Sequence, residues 1–147
     1  MFEKQVKIPE CEEMKRVMPM PERLAVVKAE RDRLVEDVIA GRSDKMLVIV
    51  GPCSAHAEKP VLEYVERLGK LNEKLKDKLV IVPRIYTNKP RTKGVGYKGM
   101  FSQPDPGKAE DIVKGIYAIR ELNIRAIEVS GLTAADGEAV LPAEGLT

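Results

Sequence analysis

The sequence predicts an α/β fold built on a parallel sheet. Two short candidate strands, 46–50 and 79–85, are separated by a segment whose apolar residues recur at helical spacing. A further helical pattern and a third candidate strand follow later in the chain. Strands that alternate with helices in this way are typical of α/β proteins, in which right-handed crossovers connect parallel strands.

The first 20 residues contain several prolines and show no sustained periodicity, which predicts an arm rather than a core element. A helix is predicted over 21–40, because Pro21 suits a first helical turn and Gly41 suits a helix end. The apolar residues of this helix recur near helical spacing: Leu24, Val27, Leu34, Val35, Val38 and Ile39.

The first strand is predicted at 46–50, where five consecutive apolar residues precede Gly51-Pro52. A run without polar residues is typical of a strand that is buried on both faces. A second helix leads from this strand to the second strand at 79–85. Its predicted buried stripe is Val61, Tyr64, Val65, Leu68, Leu71 and Leu75.

A third helix is predicted from about Lys108, with one apolar face formed by Ile112, Val113, Ile116, Ile119 and Leu122. The segment 123–129 alternates like a strand, yet Ala126 and Ile127 continue the helical stripe. Because Ser130-Gly131 is a plausible helix end, we favour one long helix. A third strand is then expected within Thr133 to Leu141, disturbed by Gly137; three strands leave an unpaired sheet edge.

Composition excludes several classes of protein. The 25 basic and 23 acidic residues give a net charge of +2, and aromatic residues make up only 4%, which argues against nucleic-acid binding. No apolar stretch is long enough to span a bilayer, and the N-terminus is neither a signal peptide nor a transit peptide, so a cytoplasmic protein without membrane contact is predicted. The two cysteines are expected to be free thiols, with Cys11 structural.

The second strand is followed by a strongly basic loop. Residues 84–99 hold five cations and no acid, although the chain as a whole is nearly neutral. Ligands of α/β proteins bind at the carboxyl ends of parallel strands, so the loop is a candidate site for a small phosphate or carboxylate. The alternative is a loop of solvated surface cations.

The first strand is followed by Gly51-Pro52-Cys53-Ser54-Ala55-His56. Cys53 is a candidate metal-bound thiolate or nucleophile, and His56 is a candidate base, metal ligand or substrate contact. The alternative is that Cys53 is a small buried apolar residue and His56 an ordinary loop residue.

Together these segments resemble a known family. The runs 47–56, Arg84-Ile85-Tyr86, Lys89-Pro90-Arg91-Thr92 and 96–100 closely resemble type I 3-deoxy-D-arabino-heptulosonate 7-phosphate (DAHP) synthase, the first enzyme of the shikimate pathway of aromatic amino-acid biosynthesis. The resemblance implies a partial (β/α)8 TIM barrel, about its first three strands, preceded by an N-terminal helical extension. The implied division is an arm and helix over 1–45 and an incomplete barrel domain over 46–147.

The resemblance also implies roles for individual residues. Cys53 resembles the metal-ligating cysteine, and Arg84 resembles an arginine that binds phosphoenolpyruvate. Lys89 resembles the catalytic lysine between the two substrates, and Lys98 a basic residue near phosphoenolpyruvate. Three residues resemble the motif that binds the phosphate of erythrose 4-phosphate: Pro90, Arg91 and Thr92.

The implied partners are phosphoenolpyruvate and erythrose 4-phosphate, and the implied cofactor is a divalent metal (Mn, Fe, Zn or Co). The family's other metal ligands, a histidine, a glutamate and an aspartate, lie on later strands, so this chain is expected to be inactive alone. Two alternatives stay open: a non-catalytic fragment that associates with a full-length synthase or with itself as a homo-oligomer, and a small-anion-binding module.

Overall fold

The computed structural model describes residues 6–87, 97 and 99–136, and within these ranges it has a mixed α/β structure. In chain order the elements are α1 (Cys11–Val17), α2 (Glu22–Ile39), β1 (Met46–Val50), α3 (Glu58–Leu75), β2 (Leu79–Pro83) and α4 (Ile112–Ser130). The predicted order of strands and long helices is therefore confirmed for the described residues.

The two strands form a parallel pair. Their register runs from Met46 opposite Leu79 to Val50 opposite Pro83, and α3 connects the end of β1 to the start of β2. On its other edge β2 is followed by a parallel bridge between Arg84 and Ala135. Ala135 lies in the segment predicted as a third strand, whose residues 137–141 lie outside the described residues.

The core lies between β2, α3 and α4. The side chains that pack there are almost all aliphatic, and several are completely buried, including Val65, Ile85, Ile116 and Ala126. Most of the stripe predicted for α3 is buried or half-buried, but Leu71 is 43% exposed. Leu71 lies next to the edge of the stripe, where the helix surface turns away from the core.

Two predictions about burial were wrong for related reasons. In β1 no residue is fully buried, and Met46 and Ile49 are 65% and 56% exposed, whereas a strand buried on both faces was predicted. In the described residues β1 is an edge strand, so it lacks the neighbour that would cover it. Ile39, predicted on the apolar face of α2, is also exposed because it is the last residue of that helix.

The N-terminal segment contributes to the core, contrary to the predicted arm. Residues 11–17 form α1, and the side chain of Met14 is 2% exposed within the main apolar cluster. Cys11 is half-buried and packs against the same cluster, which agrees with the structural role expected for it. A helix of two turns is too short to give a clear periodic pattern, which is why the sequence did not predict it.

Helix α2 is anchored to the sheet by a buried arginine. Arg31 crosses from α2 to β2 and donates a hydrogen bond from its guanidinium to the main-chain carbonyl of Ile81 at 2.6 Å. Burial lowers the pKa of Arg31 from its ordinary value, and the negative charge of Glu73 partly opposes this effect. An ion pair between Arg23 and Glu128 attaches α2 to α4 as well.

Helix α4 is a single helix over Ile112–Ser130, which confirms the interpretation of 123–129 as helical. It begins later than Lys108 because the side chain of Asp111 caps it, accepting a hydrogen bond from the Lys114 amide at 2.9 Å. It ends at Gly131, whose φ of 67° is the left-handed conformation that favours glycine. Within the described part of the chain, no helix is long and apolar enough to cross a membrane.

Candidate functional site at the carboxyl ends of the strands

The segments after β1 and β2 lie side by side, held together by their main chains. The amide of Arg84 donates to the carbonyl of Val50 at 2.8 Å, and the amide of Ala55 donates to the carbonyl of Tyr86 at 2.8 Å. The parallel pairing is thus followed by direct contact between the two polar segments, 51–56 and 84–87. This is the end of a parallel sheet at which α/β proteins bind their ligands.

Gly51 allows the two segments to approach this closely. A Cβ atom added at Gly51 would lie 1.8 Å from the carbonyl oxygen of Arg84 and 3.0 Å from its Cα. Both neighbours are main-chain atoms, so no side-chain rotation relieves the clash. The glycine that ends the first strand is therefore required by packing, apart from any role in a turn.

Arg84 is the one predicted phosphate-binding residue that lies within the described ranges. It is half-buried, and its guanidinium carbon lies 4.5 Å from the centroid of the Tyr86 ring. A cation over an aromatic face is held by the ring's quadrupole, and this contact does not consume the N–H donors of the guanidinium. Arg84 thus combines a fixed position with donors suited to an oxyanion.

Cys53 and His56 are both exposed, so the alternative of a buried apolar Cys53 was wrong. The imidazole of His56 lies edge-on to the ring of Tyr97, with 6.4 Å between centroids, and the Tyr97 hydroxyl donates to the His56 carbonyl at 3.3 Å. Among the described residues, no group of three His, Cys, Asp or Glu side chains is placed to hold a metal ion. Cys53 is therefore not part of a metal-binding cluster within those ranges, and one thiolate alone does not make a metal site.

A cavity of about 270 Å³ lies beside His56, between α4 and the turns at 100–106. Its charged lining residues are the acids Glu58 and Glu121, and the rest of the lining is largely apolar. A cavity with acidic and apolar walls does not suit a phosphate. Arg84 does not line this cavity, which is separate from the candidate anion site.

Sequence reasoning missed a contact between Thr87 and Asp136. Thr87 is 2% exposed, and its amide donates to a carboxylate oxygen of Asp136 at 3.3 Å while its hydroxyl donates to the other oxygen. The bonds join the segment after β2 to the residue that follows Ala135. The two residues are 49 positions apart, and no local pattern signals such a pairing.

The remaining predicted site residues lie outside the described residues. These are Lys89, Pro90, Arg91, Thr92 and Lys98. Of the predicted set, the structure therefore brings together Arg84 and the segment that carries Cys53.

The fold places the chain among the α/β proteins, a class whose members bind ligands at the carboxyl edge of a parallel sheet. The chain belongs to the DAHP synthetase I family, because the sequence pattern of that family matches residues 19–137. This agrees with the resemblance found in its motifs.

Curated relatives carry the same name in yeast and bacteria. The phenylalanine-inhibited phospho-2-dehydro-3-deoxyheptonate aldolase of Saccharomyces cerevisiae is 40% identical over 103 residues, which cover 70% of this chain and 27% of the relative. The Phe-sensitive phospho-2-dehydro-3-deoxyheptonate aldolase of Escherichia coli K12 is 39% identical over 117 residues, covering 80% of this chain and 33% of the relative.

A solved structure has the same fold. The phospho-2-dehydro-3-deoxyheptonate aldolase of Francisella tularensis SCHU S4 superimposes with a TM-score of 0.83 at 27% identity. The match covers 99% of this chain and 43% of the other. The chain thus spans about a third or less of the length of the two curated relatives and less than half of the solved one.

Proposed function

We propose that this chain forms the N-terminal part of the catalytic barrel of a DAHP synthase and supplies cations that bind its two phosphorylated substrates. In this proposal the described strands are the first two of a (β/α)8 barrel, the segment around Ala135 begins the third, and α1 and α2 form the N-terminal extension. The reaction condenses phosphoenolpyruvate with erythrose 4-phosphate and releases phosphate.

The observation that carries the proposal is the position of Arg84. It lies on the segment that follows β2, next to the segment that follows β1, with its guanidinium held over Tyr86. A phosphoenolpyruvate anion needs donors of this kind at the mouth of a barrel. We assign phosphoenolpyruvate to Arg84 and Lys98, and the phosphate of erythrose 4-phosphate to Pro90, Arg91 and Thr92.

Lys89 is assigned to the space between the two substrates, as the catalytic cation. An ammonium there stabilises negative charge that develops on the oxygens of either substrate during condensation. Pro90 supports this placement, since a proline restricts the residue before it to an extended conformation.

The divalent metal of the family is not assigned to the described residues, which hold no cluster of ligands around Cys53. Cys53 is proposed as one metal ligand of a complete synthase, with the others supplied from elsewhere. We therefore expect no synthase turnover from the 147-residue chain, with or without added Mn²⁺, Fe²⁺, Zn²⁺ or Co²⁺. Turnover that requires both substrates and is abolished by Cys53→Ala would contradict this expectation.

Anion binding by the chain itself tests the assignment of the cations. In calorimetric or NMR titrations with phosphoenolpyruvate, erythrose 4-phosphate and sulfate, we expect Arg91→Ala to weaken binding of erythrose 4-phosphate by about 1.5 to 3 kcal/mol, because an arginine fork makes paired charge-assisted hydrogen bonds. Lys93→Ala is the matched control, since it removes one positive charge from the same loop but is not assigned to a substrate, and a charge without a paired contact contributes little. Equal losses of binding free energy in the two variants would show that the loop binds anions by its overall charge and not through a specific motif.

A further inference from the structure

Two buried polar atoms, one on α2 and one on α3, have no hydrogen-bond partner among the described residues. They are Nε of Arg31 and Oδ1 of Asn72. Arg31 and Asn72 are only 9% and 6% exposed, so bulk water does not replace the missing bonds. Nearly all buried polar groups of folded proteins are paired, and an unpaired one is a common sign of a bound water or ion.

Both residues line the same cavity. It has a volume of about 310 Å³, and its lining includes Lys45 and Leu79, the residues from which the two strands start. Arg84 follows the other end of β2, so this cavity and the candidate substrate site lie at opposite ends of the strands. A cavity needs only about 10 to 15 Å³ to hold one water, so this one has room for a small ion together with waters.

The charged residues around the cavity leave two cations available to an anion. Three cations line it, Arg31, Lys45 and Lys76, together with two acids, Glu73 and Asp77. Glu73 pairs with Lys76 at 2.8 Å. Lys45 is half-buried and forms no ion pair with the described residues, while Arg31 retains its unused N–H. Both acids are exposed, so water and salt screen their repulsion of an anion.

The unpaired groups define the chemistry of the ligand. Nε of Arg31 and the ammonium of Lys45 are donors only, so they require an acceptor oxygen, which is best when it is charged. Oδ1 of Asn72 is an acceptor only, so it requires an O–H or N–H donor. Inorganic phosphate offers both, because it retains an O–H group at neutral pH. Sulfate has the same shape but only acceptor oxygens.

We propose that this cavity binds inorganic phosphate, with Arg31 and Lys45 donating to its oxygens and Asn72 accepting from its O–H group. Binding gives partners to two buried groups that lack them, and leaving such groups unpaired is costly. Both orphaned atoms are covered by their neighbours, so the two side chains must shift as the ion enters. The proposal does not depend on the proposed function, whose cations lie at the other end of the strands.

NMR titration of the 147-residue chain with inorganic phosphate tests the site directly. We expect the Nε–H resonance of Arg31 and the side-chain amide of Asn72 to shift, whereas the Nε–H of Arg33, which is exposed on the same helix, should not. Sulfate at the same ionic strength should bind at least about tenfold more weakly, because it cannot donate to Asn72. Equal affinities for the two ions, or no shift at Arg31 and Asn72, would overturn the proposal.

Two matched variants test the charge at the site. Lys45→Gln should weaken phosphate binding at least about tenfold, because it removes a donor that carries charge. Lys74→Gln makes the same change at an exposed lysine of α3 that does not line the cavity, and it should leave binding unchanged. Equal losses in the two variants would mean that the ion responds only to overall charge, and the proposal would be wrong.

A variant of the basic loop separates this site from the proposed substrate site, where phosphate is also expected to bind. In Arg91→Ala the response of Arg31 and Asn72 to phosphate should persist, even if binding of erythrose 4-phosphate is lost. Disappearance of the Arg31 response in that variant would place the ion at the loop and overturn the proposal. The two sites can therefore fail independently.

Discussion

Strands β1 and β2 have nearly the same composition but opposite environments. Each is a run of five residues without a charge, yet β2 holds Val80 and Ile81 at 1% and 3% exposure while β1 holds Ile49 at 56%. β2 is covered by α3, by the apolar cluster around Leu132 and by the segment at Ala135. The comparison shows that an apolar run predicts a strand, whereas its burial depends on neighbours that the run itself does not specify.

The largest expected effect comes from truncating the same residue type in each strand. Ile81→Ala should lower the free energy of unfolding by about 2 to 5 kcal/mol, because it leaves a cavity in a packed site. Ile49→Ala should cost well under about 1 kcal/mol, since the side chain is already mostly in water. Chemical denaturation followed by circular dichroism measures both. Similar losses would mean that β1 is buried in solution, for example by self-association.

An intermediate effect is expected at the outer edge of β2, where Arg31 pairs with the Ile81 carbonyl. Arg31→Met retains the length of the side chain but removes the donor, so a buried carbonyl loses its partner at a cost of about 1 to 3 kcal/mol. Arg33→Met is the control, because Arg33 is exposed on the same helix. A gain in stability at position 31 would show that desolvating the guanidinium costs more than its hydrogen bond contributes.

The smallest effect is expected on the solvent side of α3, the helix that joins the two strands. A hydrogen bond from Lys70, at 2.7 Å, and its positive charge lower the pKa of Glu66 below its ordinary value. The ion pair therefore stabilises the fold above the pKa of unfolded glutamate, and this contribution is lost as the pH falls through the lower folded pKa.

NMR titration of the Glu66 carboxyl carbon measures this shift. In Lys70→Met we expect the pKa of Glu66 to rise toward its ordinary value. The part of the decrease in stability at low pH that comes from this ion pair should then be absent. Both side chains are largely exposed, so the change in stability should be small. An unchanged pKa in the variant would assign the shift to other neighbours, such as Arg67.

Much of the fold was predictable because it depends on local periodicity. The bounds of β1 follow from its apolar run, and the single helix α4 follows from Ala126 and Ile127, which continue its stripe and are buried. Helix α1 was missed because a two-turn helix with one fully buried residue, Met14, carries too little pattern. The exposure of β1 was missed because it depends on which elements lie beside the strand in the described part of the chain, and not on its own residues.

The candidate site was predicted only in part from the sequence. Arg84 and Cys53 were expected at adjacent strand ends, and their segments do lie together. The ring beneath Arg84 and the contact between Thr87 and Asp136 were not foreseen. Tyr86 is two positions from Arg84, but the stacking of the two side chains depends on the conformation of the segment after β2. Asp136 is far from Thr87 in sequence, because α4 lies between them, and no local pattern predicts their contact.

The close approach at Gly51 limits which residues can follow the first strand. The separation between the first two strand ends is determined there by two main chains in contact, and any larger residue at position 51 would collide with the Arg84 carbonyl. Substitution at position 51 is therefore expected to displace one strand end from the other rather than to fit a side chain between them. Under the proposed function, differences in preference among sugar phosphates are therefore expected to come from side chains elsewhere in the site, not from a change of spacing at position 51.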